Sequence, residues 1–403
     1  MILHLANTSA ARVLALTGLL WLTAFFICKS ILWRDPHSAF FKEEGVYDLG
    51  YSTTRQEEAI QFISAADNSS TPPSPPVKDP LICAAFTTFQ REGRQYLRES
   101  IGSMLVSLTP LERSTLDLHL LFTHVDPARS TDWNATWLSL TNTWSTYNTT
   151  PSQLSLISEW ETSRNFYAKG VYDYLYLLTT CLTTTAPYIA IFEDDIIFAE
   201  GWLAKTLSAL TKLQHNKKWL YLRLFYTETS LGWDPATDFW YRNMPLTFLL
   251  ASSLSASLLL LLRRLPRARL LLDTPTLAVL VCITTPAFVV LAFMTGKYTL
   301  TPLRGVVPMD KWGCCTQALV FPRYQVESMV NFLRERGSGQ TDALIEEYAD
   351  RSGLGRWALA PQVVQHVGVV SSRDNLAVNT RSTWAFWFEA QRGERLRGEK
   401  EGV

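Results

Sequence analysis

The sequence carries no excess of either charge: 37 Lys and Arg balance 37 Asp and Glu over 403 residues. A nucleic-acid binder would show a basic face, so this balance argues against nucleic acid as a partner. Cysteine is scarce, six in all, and no Cys-x-x-Cys pair occurs; we expect no zinc site. No small-x-small cleavage site follows the first apolar run, Val13 to Cys28. That favours an uncleaved membrane anchor over a secretory signal peptide. Finally, no Lys or Arg lies between Gly170 and Trp202, although three adjacent carboxylates sit inside that stretch.

Those carboxylates are Glu193, Asp194 and Asp195, preceded by Tyr188-Ile-Ala-Ile-Phe192 and followed by Ile196-Ile-Phe198. A buried strand explains the apolar flanks. Three neighbouring negative charges between apolar runs are costly unless a cation neutralises them. With no local Lys or Arg, a divalent metal is the economical partner, and hard oxygen ligands suit Mn²⁺ or Mg²⁺. In an undistorted strand Glu193 and Asp195 share one face and Asp194 takes the other. The alternative is a strand that ends in a solvated acidic turn.

Hydrophobic residues make up 47% of the chain, and they are segregated. Beyond Val13–Cys28, two further uncharged runs span Pro245–Leu262 and Thr274–Gly296, the last with Pro275 and Pro286 inside it. Between them lies Arg263-Arg264-Leu-Pro-Arg267-Ala-Arg269. By the positive-inside rule this loop faces the cytosol, and the two runs form a transmembrane hairpin rather than a buried soluble helical pair. The expected layout is a cytosolic tail (1–12), an anchor (13–32), a luminal stem (33–79), a first part of the folded domain (80–244), a second span (245–262), a cytosolic loop (263–274), a third span (275–296), and a second part of the domain with the tail (297–403). Sequons at Asn68, Asn134 and Asn148 all fall on the luminal side; the one at Asn7 falls on the cytosolic side. Cys83, Cys181, Cys314 and Cys315 are luminal and form the disulfide candidates, with the pairing open and a bond between the adjacent Cys314 and Cys315 disfavoured by strain.

Along the soluble part, Gln56–Ile63 is amphipathic and Ser69–Pro76 is a Pro-rich spacer. Strands are expected at Leu81–Phe86, Leu116–His124, Tyr188–Phe192, Lys218–Tyr226, before Phe321, and after Pro361. Helices are expected at Tyr96–Leu108, Tyr167–Thr180, Trp202–Leu213, Gln325–Glu335 and from Asp342. Residues 130–165 show only weak periodicity. Alternating strands and helices imply an α/β fold with a mostly parallel sheet, and ligands in such sheets bind beyond the carboxyl ends of strands. The Thr87–Arg94 loop and the acidic triplet both lie at such ends.

An anchor, a Pro-rich stem and a strand entering Glu193-Asp194-Asp195 resemble a Golgi glycosyltransferase of the GT-A fold with a DxD-type motif. Thr88-Phe-Gln-Arg91-Glu92, Tyr96–Ser103, Asp173-Tyr174 ahead of the triplet, and Gln365-His366-Val-Gly368 followed by Ser371-Ser372 are similar to the N-acetylglucosaminyltransferase IV group. The hairpin inside the domain departs from that group. It resembles instead the three-span Golgi family that adds an N-acetylgalactosamine side chain to the mannose core of GPI anchors. This resemblance implies a UDP-sugar donor, a GPI-anchored protein or GPI glycolipid as acceptor, a Golgi membrane location, and a metal, Mn²⁺ ahead of Mg²⁺, on Glu193, Asp195 and His366. Thr88, Arg91, Lys169, Tyr172, Asp173 and Asp194 would hold the nucleotide-sugar. A β-linkage from an α-linked donor means inversion, which needs a general base; Asp342 is the expected base, with Glu228 and Asp234 in reserve. Competing readings are a Golgi transferase acting on N-glycans or glycolipids, and a catalytically inactive membrane scaffold.

Overall fold

The computed structural model describes residues 9–68, 74, 77–228, 239–309, 315–368 and 383–391. The chain divides into two compact units, one of residues 1–47 and 234–303, the other of residues 48–233 and 304–403. The expectations at Cys314, Ser371, Ser372 and Asp234 lie outside the described residues.

The first unit contains three helices long and apolar enough to cross a membrane: Ser9–Ile31, Met244–Leu262 and Thr274–Met294. The last has a wide turn of π-helix at Leu280–Thr284. Pro286 follows it and has no N–H for the carbonyl four residues back, and a wider turn accommodates that loss. Polar side chains tie the helices together. Thr17 and Thr284 hydroxyls lie 2.8 Å apart, Trp21 Nε1 donates to the Ala287 carbonyl at 2.9 Å, and Thr285 Oγ1 donates to Ser255 Oγ at 3.0 Å. In an apolar surround such bonds supply specificity that hydrophobicity cannot.

The second unit is an α/β layer structure. Its strands are β1 (Ile82–Thr88), β2 (Leu116–Phe122), β3 (Thr143–Ser145), β4 (Tyr188–Glu193), β5 (Ile196–Phe198), β6 (Trp219–Arg223), β7 (Gly305–Met309), β8 (Ala318–Pro322), β9 (Gly355–Ala360) and β10 (Val364–His366). Eight form one sheet in the order β3-β2-β1-β4-β8-β6-β9-β7. The run β3-β2-β1-β4 is parallel; β8 is antiparallel to both its neighbours, and β7 is antiparallel to β9. β1, β4, β6 and β8 are almost wholly buried, as expected for strands covered on both faces. The mostly parallel α/β sheet read from the sequence is thus present.

Two helices depart from the sequence reading, and strands β7 and β9 lie where none was expected. Helix Pro151–Ser163 lies within the stretch of weak periodicity; Thr150 Oγ1 caps its start, accepting from Gln153 N at 3.3 Å, and Pro151 occupies the first turn. Helix Tyr51–Asp67, expected within a stem, is part of the folded unit. Ala59, Ile63 and Ala66 are buried against helix Leu97–Leu105, and a Cβ on Gly102 would sit 2.6 Å from the Ala59 carbonyl oxygen. Only glycine permits that approach of two helix backbones. A Cys83–Cys181 disulfide joins β1 to helix Phe166–Leu182 across 98 residues. Cys315 is also disulfide-bonded.

Candidate active site

The acidic triplet does not continue a strand. β4 ends at Glu193 and β5 begins at Ile196, so Asp194 and Asp195 occupy a bend. Buried Ser100 fixes that bend: its hydroxyl donates to the Asp194 carbonyl at 2.6 Å and accepts the Ile196 N–H at 3.2 Å. The face alternation expected of a strand therefore does not hold, and Asp194 and Asp195 reach the same cation.

That cation is Arg91, on the loop after β1. Its Nη2 donates to Asp194 Oδ1 at 2.7 Å and lies 3.4 Å from Asp195 Oδ2. Thr88 Oγ1 donates to Asp194 Oδ2 at 2.7 Å, with the Phe89 N–H at 3.4 Å. Parallel pairing of β1 with β4 sets Thr87 beside Glu193 and so brings this loop to the triplet. The protein supplies a neutralising charge that the sequence hid, because Arg91 and Asp194 are 103 residues apart. Burial would lower the Arg91 pKa, but Asp194 and Asp195 outweigh it and hold the guanidinium firmly protonated. Nε and Nη1 of Arg91 are buried with no hydrogen-bond partner, as is Asp195 Oδ1.

His366 arrives through the two-stranded ladder of β5 and β10, which pairs it with Ile196. Its Nε2 lies 3.5 Å from Asp195 Oδ2. Burial works against charge on both partners, yet mutual attraction wins: Asp195 falls to about 2, with Arg91 adding to the effect, and His366 rises. A Cβ on Gly368 would stand 2.3 Å from Asp195 Oδ2 and 2.9 Å from His366 Nε2, so only a residue without a side chain fits against the pair. Among the described residues no three His, Cys, Asp or Glu side chains gather as a metal-binding group. Glu193 does not join Asp195 and His366; its Oε1 accepts from Thr316 Oγ1 at 2.6 Å. A carboxylate with one free buried oxygen beside an imidazole does fit a divalent cation that takes its remaining ligands from a substrate.

A cavity of about 620 Å³ opens on these groups. It is also lined by Lys169, Asp173 and Asp342. Lys169 Nζ donates to Tyr147 Oη at 2.6 Å and to Asp173 Oδ2 at 3.0 Å, and Tyr147 Oη donates to Asp173 Oδ1 at 2.5 Å. Burial pushes the Asp173 carboxyl up, against Lys169. Tyr147 carried no sequence signal; it lies in a polar loop, and only the fold brings it to Lys169. Tyr172 does not line the cavity and packs against Tyr147 and Trp160, with ring centroids 5.8 and 5.9 Å away. Asp342 lies in the first turn of helix Thr341–Ser352; its Oδ2 accepts the Cys315 N–H at 2.9 Å. Glu228 is outside the cavity, buried, and accepts from Gln362 Nε2 at 2.8 Å and the Trp387 N–H at 3.2 Å. Asn68, Asn134 and Asn148 are exposed.

The site thus joins a buried arginine with free donors, a carboxylate–imidazole pair and a further carboxylate in one cavity beyond the carboxyl ends of β1 and β4. Comparison with curated protein sequences returns no match. The model of the family described as GPI-N-acetylgalactosamine transferase PGAP4 matches residues 82–365, which include every cavity residue discussed except His366 and Gly368, just past its end, and the chain belongs to that family.

Proposed function

We propose that the protein transfers N-acetylgalactosamine from UDP-N-acetylgalactosamine to the mannose core of GPI anchors, with inversion and with help from a divalent cation. The observation that carries this reading is Arg91: it lines the cavity, and two of its nitrogens are buried and unpartnered. Buried donors of this kind suit an anion, and a diphosphate offers oxygens to a planar fork.

In this reading Asp195 and His366 would hold Mn²⁺ or Mg²⁺, whose charge would offset that growing on the leaving diphosphate. Arg91 would bind the same diphosphate. Asp194 meanwhile keeps Arg91 in place through the 2.7 Å contact. Lys169 and Asp173 line the nucleotide end, where Asp173 accepts from ribose or base donors. Asp342 takes the proton from the acceptor hydroxyl as the sugar–oxygen bond forms, and the bond to the diphosphate breaks with its electron pair leaving on phosphate oxygen. The Cys315 N–H donates to Asp342 Oδ2 at 2.9 Å and orients that carboxyl. The three apolar helices would keep the protein in the Golgi membrane with this unit luminal, close to a lipid-linked acceptor.

The test is glycan mass spectrometry of GPI anchors from cells that lack the protein, after return of the wild-type chain or of Asp195→Ala. Wild type should restore the hexosamine side chain and Asp195→Ala should not. Full restoration by Asp195→Ala would sink the enzymatic reading in favour of a scaffold; altered N-glycans with unchanged GPI would sink the substrate.

A further inference from the structure

Arg223 is fully buried at the end of β6, 1% exposed, and is not among the residues lining the cavity. A guanidinium in that position is expensive to bury, and replacement by an apolar side chain is often neutral or stabilising. Its contacts indicate what it does instead. Nη1 donates to the carbonyl of Cys315, the same residue whose N–H reaches Asp342 Oδ2 at 2.9 Å. Nη2 lies 3.5 Å from Glu346 Oε1. Glu346 stands one helical turn after Asp342 on helix Thr341–Ser352, so the two side chains lie on the same side of that helix. One rigid fork on the sheet therefore grips both neighbours of Asp342, the Cys315 peptide in front and the next turn of its own helix behind.

The grip is braced. Tyr221, two residues earlier on β6, donates its hydroxyl to Glu346 Oε1 at 2.5 Å. Arg356 on β9 lies 2.8 Å from Glu346 Oε2 and also donates to the Glu346 carbonyl at 3.0 Å. Parallel pairing sets Tyr221 beside Arg356, so Glu346 is clamped by two adjacent strands. The helix that carries Asp342 is registered against the sheet by charge and hydrogen bonds, in addition to packing by Ile345, Tyr348 and Ala349.

We propose that Arg223 is a positioning residue for the acceptor-side chemistry: it holds Asp342 in place through the Cys315 peptide and through Glu346. This rests on the reading of Asp342 as the base that takes the acceptor proton. A base displaced by about 1 Å can lose on the order of a hundredfold in rate, while groups that bind the donor, Arg91 and Lys169, are left where they are. Arg223 thus acts on turnover and not on donor binding.

The test measures kcat and donor KM on the full-length chain in detergent, with UDP-N-acetylgalactosamine and a GPI glycan acceptor. Arg223→Met should lower kcat by about tenfold to a hundredfold with donor KM changed less than about threefold. Arg223→Lys should recover part of the rate, because a lysine keeps the charge and one donor but cannot fork. Glu346→Gln, a gentler change to the same grip, should show the same pattern and serves where Arg223→Met fails to fold. In the Asp342→Asn background Arg223→Met should cost nothing further, because the group it positions is gone. An unchanged kcat in both Arg223→Met and Glu346→Gln overturns the proposal. So does a full additional loss in the Asp342→Asn background. If Asp342→Asn alone keeps wild-type kcat, the reading of Asp342 as base has failed, and the proposal with it; that result differs visibly from the first two.

Discussion

Asp194→Asn separates two accounts of the acidic triplet, neutralisation by Arg91 and neutralisation by a metal. Both side chains of the Arg91–Asp194 pair are about 5% exposed, so screening by solvent does little to weaken it. Removing one partner from a buried pair costs about 3–5 kcal/mol, because the other charge stays buried and uncompensated. Asp195 Oδ2 remains 3.4 Å from the same nitrogen, and an asparagine oxygen can still accept from Thr88. The loss should therefore fall at the low end, about 3 kcal/mol. At roughly 2–4 °C per kcal/mol for domains of this order of size, the unfolding midpoint should drop by about 6 °C or more. The assay is tryptophan-fluorescence melting of the detergent-solubilised chain, once with Mn²⁺ and once with EDTA. If Arg91 is the partner, Asp194→Asn lowers the midpoint equally in both. A drop confined to the Mn²⁺ sample, or a change below about 1 °C in both, would refute the assignment of Arg91 as the neutralising charge.

Gly368→Ala should reduce turnover about a hundredfold or more and lower the melting temperature by the equivalent of about 1–3 kcal/mol, because its Cβ would stand 2.3 Å from Asp195 Oδ2; steady-state rates and melting curves check both halves. Replacing Cys83 and Cys181 together by alanine removes a link across 98 residues and should cost about 4 kcal/mol, read as a lower unfolding midpoint of the chain under non-reducing conditions. Asp35, just beyond the first apolar helix, is fully buried, and burial raises its carboxyl to about 6. The folded state then holds the proton more tightly than the unfolded chain, so the stability from this group is complete below about pH 4 and is lost as pH rises through about 6. Two units correspond to about 3 kcal/mol; Asp35→Asn should flatten the melting temperature between pH 4.5 and 7.5, and an unchanged slope would remove Asp35 as its source.

Much of the site can be read from local pattern. The apolar run into Glu193, the polar loop after β1, and helix Phe166–Leu182 are all continuous stretches whose periodicity states their role. What joins them is non-local. Arg91 meets Asp194 because β1 and β4 are parallel neighbours, and no window of sequence contains both. His366 meets Asp195 because β10, the strand expected after Pro361, pairs with β5, a three-residue strand too short to announce itself. β7 and β9 escaped notice for different reasons: Pro308 interrupts one, and Arg356 and Trp357 break the apolar run of the other. Helix Pro151–Ser163 buries only Ile157, so it lacks the stripe by which helices are recognised. Tyr51–Asp67 was recognisable as a helix, but whether such a helix packs or dangles depends on a surface formed elsewhere, here the notch at Gly102.

The order of strands in the sheet also constrains how the chain can be made. β8 lies between β4 and β6, yet in the sequence it comes after both and after the two apolar helices Met244–Leu262 and Thr274–Met294. A chain growing from its N-terminus therefore produces β1, β4 and β6 and must then keep one edge of β4 and both edges of β6 unpaired while the two apolar helices are produced. Exposed strand edges invite wrong partners, and long-range pairings form late. Synthesis thus builds in a waiting period, ended only when β8 joins β4 to β6 and β9, made later still, covers the other edge of β6. Chaperone retention should concentrate on chains stalled at this stage, and variants that slow placement of the hairpin should lengthen it without touching a single residue of the cavity.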